Sequence, residues 1–189
     1  MNTIQSMDQT ELIKQISDNI GKVKVLGLSK ILVERNFDLR DLIAITFHPD
    51  KDVAFRATWL LENVFLDNPE LYLPELDFLL SGITRVKHPG PQRHYAKIVM
   101  HITEPSAPQI IKDKVQQIDM EPVVEQLFEW IIAPKVKIAV KAFAAEALFN
   151  MKDRYPWVKD ELAQQLQFLM RDGTAAIQVK GKKLLQQLR

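Results

Sequence analysis

The side chains of this 189-residue sequence best suited to acid-base or metal chemistry are four histidines, His48, His88, His94 and His101. Imidazole exchanges protons near neutrality and is the commonest metal ligand. His48 and His88 each precede a proline in a turn-like stretch, where an exposed imidazole is ordinary. His94 and His101 are seven positions apart, which places them about 10 Å apart along a helix and prevents them from sharing one ion. No His-Glu-x-x-His or comparable ligand spacing occurs, so neither a metal nor a cofactor is expected. The hydroxyl nucleophiles are limited to Ser6, Ser17, Ser29, Ser81 and Ser106 among the serines, with no Gly-x-Ser-x-Gly elbow and no Gly-rich phosphate loop. Acyl transfer and nucleotide hydrolysis are thereby disfavoured. Cysteine is absent, which removes thiol nucleophiles, disulfides and sulfur-ligated zinc and suits a reducing, cytoplasmic setting. The carboxylate pair Asp160 and Glu161 falls at a predicted helix start, where it stabilises the positive end of the helix dipole. No catalytic residue is expected.

The elements that carry these residues read as helices. With 47% apolar side chains, the chain is long enough to bury its own core, and a single domain over residues 1–189 is expected. The first ten residues lack a basic region followed by an apolar run, and no apolar run approaches the roughly 20 residues needed to span a bilayer. A soluble protein without a membrane partner is expected. Val53, Ala57, Leu60, Leu61 and Val64 fall on one helical face, with Asp50 placed to cap that helix. Leu39, Leu42, Ile43 and Phe47 form a shorter stripe before it, and His48-Pro49-Asp50 interrupts the two as a turn would. Such a hairpin cannot cover its own apolar faces and must stack.

The same register recurs. Val140, Ala144, Ala147 and Leu148 repeat it, as do Ile177, Gly181, Leu184 and Leu185, and Tyr95, Ala96, Val99 and Met100; Val23, Gly27 and Ile31 give a weaker copy. The small residues Gly27, Ala57, Ala96, Ala144 and Gly181 are separated by 30, 39, 48 and 37 positions, and each is expected to admit close helix approach. Candidate first helices precede each copy at about 8–18, 38–47, 69–83, 119–132 and 155–171. The long separation accommodates an inserted helix within 106–118, where Ile110, Ile111, Val115 and Ile118 have helical spacing.

The segments Leu42 to Val64 and Pro134 to Met151 resemble HEAT repeats, with an apolar first helix, a turn bearing Pro or Asp, and a Val-x-x-x-Ala-x-x-x-Leu second helix. The resemblance implies an all-α, right-handed α-α superhelix of about five HEAT-like hairpins plus the inserted helix. It also implies a macromolecule-binding scaffold whose second helices line the concave side. Some DNA-repair glycosylases are built of similar repeats and use tryptophans with an aspartate in that groove. Trp59, Trp130 and Trp157 instead sit in separate repeats beside apolar positions, where core packing is expected of at least two.

Overall charge is +1, but its distribution is uneven. The predicted second helices (20–34, 50–65, 90–102, 134–151, 173–189) hold 14 Lys and Arg against 5 Asp and Glu, a net of +9. The predicted first helices (7–18, 38–48, 69–83, 119–132, 153–172) hold 5 against 16, a net of −11. Lys24, Arg56, Arg93, Lys97, Lys137, Lys141, Lys180 and Lys183 are the expected contributors to a basic face. The reading is a non-enzymatic scaffold that holds a protein or peptide, acidic or phosphorylated, on that face. A nucleic-acid backbone is the alternative partner.

Overall fold

The computed structural model describes residues 7–171 and 173–188; Ser6, Asp172, Arg189 and the stretch 1–6, used in the reading above, lie outside them. The described residues form eleven α-helices with no strand. They fall into two compact units, Met1–Tyr95 and Ala96–Arg189, divided within one helix.

The first unit contains α1 (Gln9–Ser17), α2 (Lys22–Glu34), α3 (Leu39–Ile45), α4 (Lys51–Asp67), α5 (Leu76–Ser81) and the start of α6 (Pro89–Thr103). Aspartates begin three of these helices. Asp8 accepts the Glu11 N–H at 2.8 Å, Asp38 that of Arg40 at 2.8 Å, and Asp50 those of Asp52 at 2.8 Å and Val53 at 3.3 Å. Each supplies an acceptor for backbone donors that the helix leaves unpaired. The end of α2 is closed by Asn36 at φ 49°, with the Asn36 N–H donating to Val33 O and the Phe37 N–H to Leu32 O. This is the Schellman arrangement, and it turns the buried Phe37 back onto the unit.

Helix α4 packs against α1, α2 and α3, and α1 packs against α3. First helices therefore neighbour first helices, and second helices neighbour second helices. The face expected from periodicity, Val53, Ala57, Leu60, Leu61 and Val64, is buried throughout. Two local expectations are corrected. In α2 the buried residues are Val25, Leu28, Ser29 and Leu32, while Val23 is 87% exposed and Gly27 has no atom within 4 Å of where a Cβ would stand. Apolar side chains surround most of this helix, so spacing alone did not select its inward face. The helix expected over 69–83 is broken into a 3-10 turn, Pro69–Glu75, and the short α5. Pro74 lies inside the 3-10 segment, where it lacks an N–H and would clash with an α-helical carbonyl one turn back.

The second unit contains the rest of α6, then α7 (Gln109–Gln117), α8 (Glu121–Ile132), α9 (Ile138–Met151), α10 (Trp157–Arg171) and α11 (Ala175–Leu188). Helices α8 and α9 form one hairpin, α10 and α11 the next, and α9 also contacts both α10 and α11. Val140, Ala144, Ala147 and Leu148 are fully buried, and Ile177, Gly181 and Leu184 repeat the pattern in α11. The expected insertion is α7, which buries Ile111 and Val115. Trp130 is in the core, Trp59 is half-buried against Phe55, and Trp157 is exposed with its ring 5.4 Å from that of Phe128.

Candidate interaction surface

The last carbonyls of an α-helix have no partner within it and carry its negative dipole end. In this chain, side chains from other segments supply the missing donors. Lys24 Nζ on α2 donates to Gln15 O at 3.1 Å. Arg56 on α4 donates through one guanidinium nitrogen to Ile16 O and Ser17 O, both at 2.9 Å. In the second unit Lys141 Nζ on α9 donates to Ile131 O at 2.7 Å, and Gln178 Nε2 on α11 to Met170 O at 2.7 Å. Arg154 does the same for the end of α7, donating to Val115 O and Ile118 O. The ends of α1, α7, α8 and α10 are all closed this way.

Three of the eight cations expected on a binding face therefore have a structural role. Lys141 is withdrawn from the surface altogether, at 5% exposure, and burial pushes its ammonium below the ordinary lysine range. Lys24 remains exposed and Arg56 half-buried, but both are engaged at the α1 terminus. Arg93, on α6 in the first unit, is exposed. The other four lie on second helices of the second unit. Lys137 is exposed where α9 begins, Lys97 is half-buried on α6, Lys180 pairs with Glu146, and Lys183 is exposed on α11.

Within this unit, α6, α9 and α11 border a groove of about 430 Å³. Its lining includes Lys180, Lys183, Glu104, Glu146, Met100, Phe149, Asn150 and Leu184. Asn150 Nδ2 donates to Met100 O and Thr103 Oγ1, each at 3.3 Å, and fixes α9 against the end of α6. His101 Nδ1 lies 3.1 Å from Glu104 Oε1. The groove thus combines two ammonium groups, two carboxylates and an apolar floor. Lys97 and Lys137 are not among its lining residues.

The sequence profile of the HEAT repeat domain matches residues 12–188. The chain belongs to the HEAT repeat domain family. Comparison with curated proteins and with solved structures gives no match. HEAT repeats commonly serve as protein-interaction scaffolds, and the hairpins of both units have the all-α form of that family.

The remaining histidines separate by environment. His94 is buried between HEAT helices α4 and α6, with Nδ1 2.5 Å from Glu62 Oε2 and its ring 5.5 Å from Phe55. Its Nε2 has no hydrogen-bond partner among the described residues. His48 and His88 sit at the turns that join first to second helices, as expected. Among the described residues no group of three or more His, Cys, Asp or Glu could hold a metal ion, and no helix is long and apolar enough to cross a membrane. Sequence reasoning found the lysines of the α11 edge but missed Glu104, Glu146 and Phe149. No motif marks them, because they meet only when successive HEAT hairpins stack.

Proposed function

We propose that this HEAT repeat protein is a non-enzymatic scaffold that holds a protein or peptide along the second-helix surface of its second unit, in the α6–α9–α11 groove. The observation that carries this reading is the groove's mixed lining: Lys180 and Lys183 stand beside Glu104 and Glu146 over the apolar atoms of Met100, Phe149 and Leu184. A peptide offers all three complements, namely carboxylates, amines and apolar side chains. A nucleic-acid backbone offers only anions, and two carboxylates in the groove would oppose it. The intended location is the cytoplasm, which a chain without cysteine suits.

Panning the full chain against a displayed random-peptide library tests the reading. Enriched peptides should lose about tenfold in affinity when Lys183→Glu and Phe149→Ala are combined, since one charge is reversed and one apolar anchor removed. Unchanged affinity in the double variant would move the binding site elsewhere. Duplex DNA binding at low salt that exceeds peptide binding would replace the proposal with the nucleic-acid reading.

A further inference from the structure

In the first unit the turn between α3 and α4 and the turn before α6 have the same dipeptide, His48-Pro49 and His88-Pro89. The two turns are brought together around a cavity of about 280 Å³, lined by Thr46, Phe47, His48, Arg85, Lys87 and His88 with neighbouring prolines and Val86. No carboxylate lines it. The nearest acid along the chain, Asp50, accepts the Asp52 and Val53 N–H groups at the start of α4.

The cationic side chains here are held in place by contacts that leave their charge unneutralised. The Arg85 guanidinium lies over the Phe47 ring at 4.1 Å from its centroid, a stacked geometry that leaves the in-plane N–H fork available. Phe47 is itself fixed beneath it, because its ring rests against Gly82, where a Cβ would stand only 2.7 Å from Phe47 Cζ. Lys87 Nζ donates one of its three protons to Thr84 O at 2.9 Å. No carboxylate pairs with Arg85 or Lys87 among the described residues. The Asp50 N–H donates to His48 Nδ1 at 3.1 Å; that bond assigns the ring proton to Nε2 and makes the other side of the ring a donor.

We propose that this cavity is an oxyanion site that takes a phosphate-class group between Arg85, Lys87, His48 and His88. A phosphate dianion matches two fixed positive charges, and its several oxygens accept from a guanidinium fork, an ammonium and imidazole N–H groups together. The cavity falls just below the roughly 300–1,000 Å³ typical of ligand pockets, which fits one anionic head group rather than a nucleotide or a cofactor. The group arrives either as free phosphate or on a phosphorylated side chain. The site is in the first unit and shares no residue with the α6–α9–α11 groove, so either proposal stands if the other fails.

Backbone amide spectra of the full chain, recorded while inorganic phosphate replaces chloride at constant ionic strength, test the site. Saturable shifts should centre on Phe47, His48, Arg85, Val86, Lys87 and His88. The double variant Arg85→Gln with Lys87→Gln, both exposed positions, should weaken binding by at least about tenfold. A control, Lys30→Gln with Lys182→Gln, should leave it unchanged. A phosphoserine tripeptide that binds more tightly than phosphate identifies a phosphorylated protein as the source; equal or weaker binding identifies the free anion. Shifts that do not saturate, that spread over the surface lysines, or that persist in the double variant overturn the proposal.

Discussion

Lys141 Nζ donates to the Ile131 carbonyl oxygen at 2.7 Å, from α9 across the hairpin to the end of α8. The bond closes the terminus of a first helix with a second-helix cation, and Lys24 and Arg56 do the same for α1. This arrangement accounts for part of the charge asymmetry between the two sets of helices. First helices end at carbonyls that need donors, and the adjoining second helices supply them.

Burial lowers the Lys141 pKa from its ordinary 10.5. A lysine whose folded pKa lies below its unfolded value binds fewer protons when folded, so its contribution to stability rises with pH between those two values. Urea unfolding at a series of alkaline pH values should show the wild type gaining on Lys141→Met as pH approaches 10.5. Parallel curves for the two proteins would mean that the ammonium is not desolvated.

Arg56 makes two bonds to the α1 terminus, at Ile16 O and Ser17 O. Replacement by Met keeps the apolar stem and removes both donors. The expected cost is about 1–3 kcal/mol of unfolding free energy, with the loss of α1 protection visible in amide exchange at Ile13 to Ser17. A variant that binds its partner less well but keeps full stability would return Arg56 to the role read from sequence.

Burial of the Tyr95 hydroxyl raises its pKa above the ordinary tyrosine value, although the hydrogen bond between it and Thr46 and the charge of Arg85 oppose the shift. The Tyr95 hydroxyl and Thr46 Oγ1 are 2.9 Å apart. A phenol whose folded pKa is raised stabilises the fold below its unfolded pKa and loses that contribution as pH rises above about 10. Tyr95→Phe should remove this alkaline decline and cost about 1 kcal/mol near neutrality through the lost hydrogen bond. Chemical denaturation of both proteins on either side of that pH measures the two effects together.

The buried contact between His94 and Glu62 predicts strong coupling. Removing one member of a buried polar pair deletes their mutual contact and costs about 3 kcal/mol. Glu62→Ala and His94→Ala should each be destabilising by about that amount, and the double variant by less than their sum. Strict additivity in this double-mutant cycle would show that the two side chains do not interact.

Most of the helical framework was legible because its signals are local. The α4 and α9 faces follow a 3.6-residue period over several turns, and Asp50 announces the start of α4 through two backbone hydrogen bonds. Where local signals were degenerate, the reading failed: α2 has apolar residues on several sides, and its buried face is Val25, Leu28, Ser29 and Leu32. The interaction surface was less legible for a different reason. A lysine in a sequence carries no mark of whether it will meet solvent, a carboxylate or a helix terminus. Lys183, Lys180 and Lys141 have these three fates respectively, and each depends on the neighbouring hairpin.

The small residues of the repeat register give a final contrast between two glycines. At Gly181 an added Cβ would stand 2.4 Å from Met170 Sδ and 2.8 Å from its Cγ, so Gly181→Ala requires the Met170 side chain to move within the α10–α11 packing. At Gly27, exposed within α2, the added methyl meets nothing within 4 Å. There the only consequence is a gain in helix propensity, because alanine loses less backbone entropy than glycine on folding. Gly27→Ala should therefore raise stability by about 0.5–1 kcal/mol, and Gly181→Ala should fall short of that gain or reverse it. Thermal midpoints of the two single variants decide the matter, and equal gains at both positions would show that α11 does not depend on its small residue for close approach.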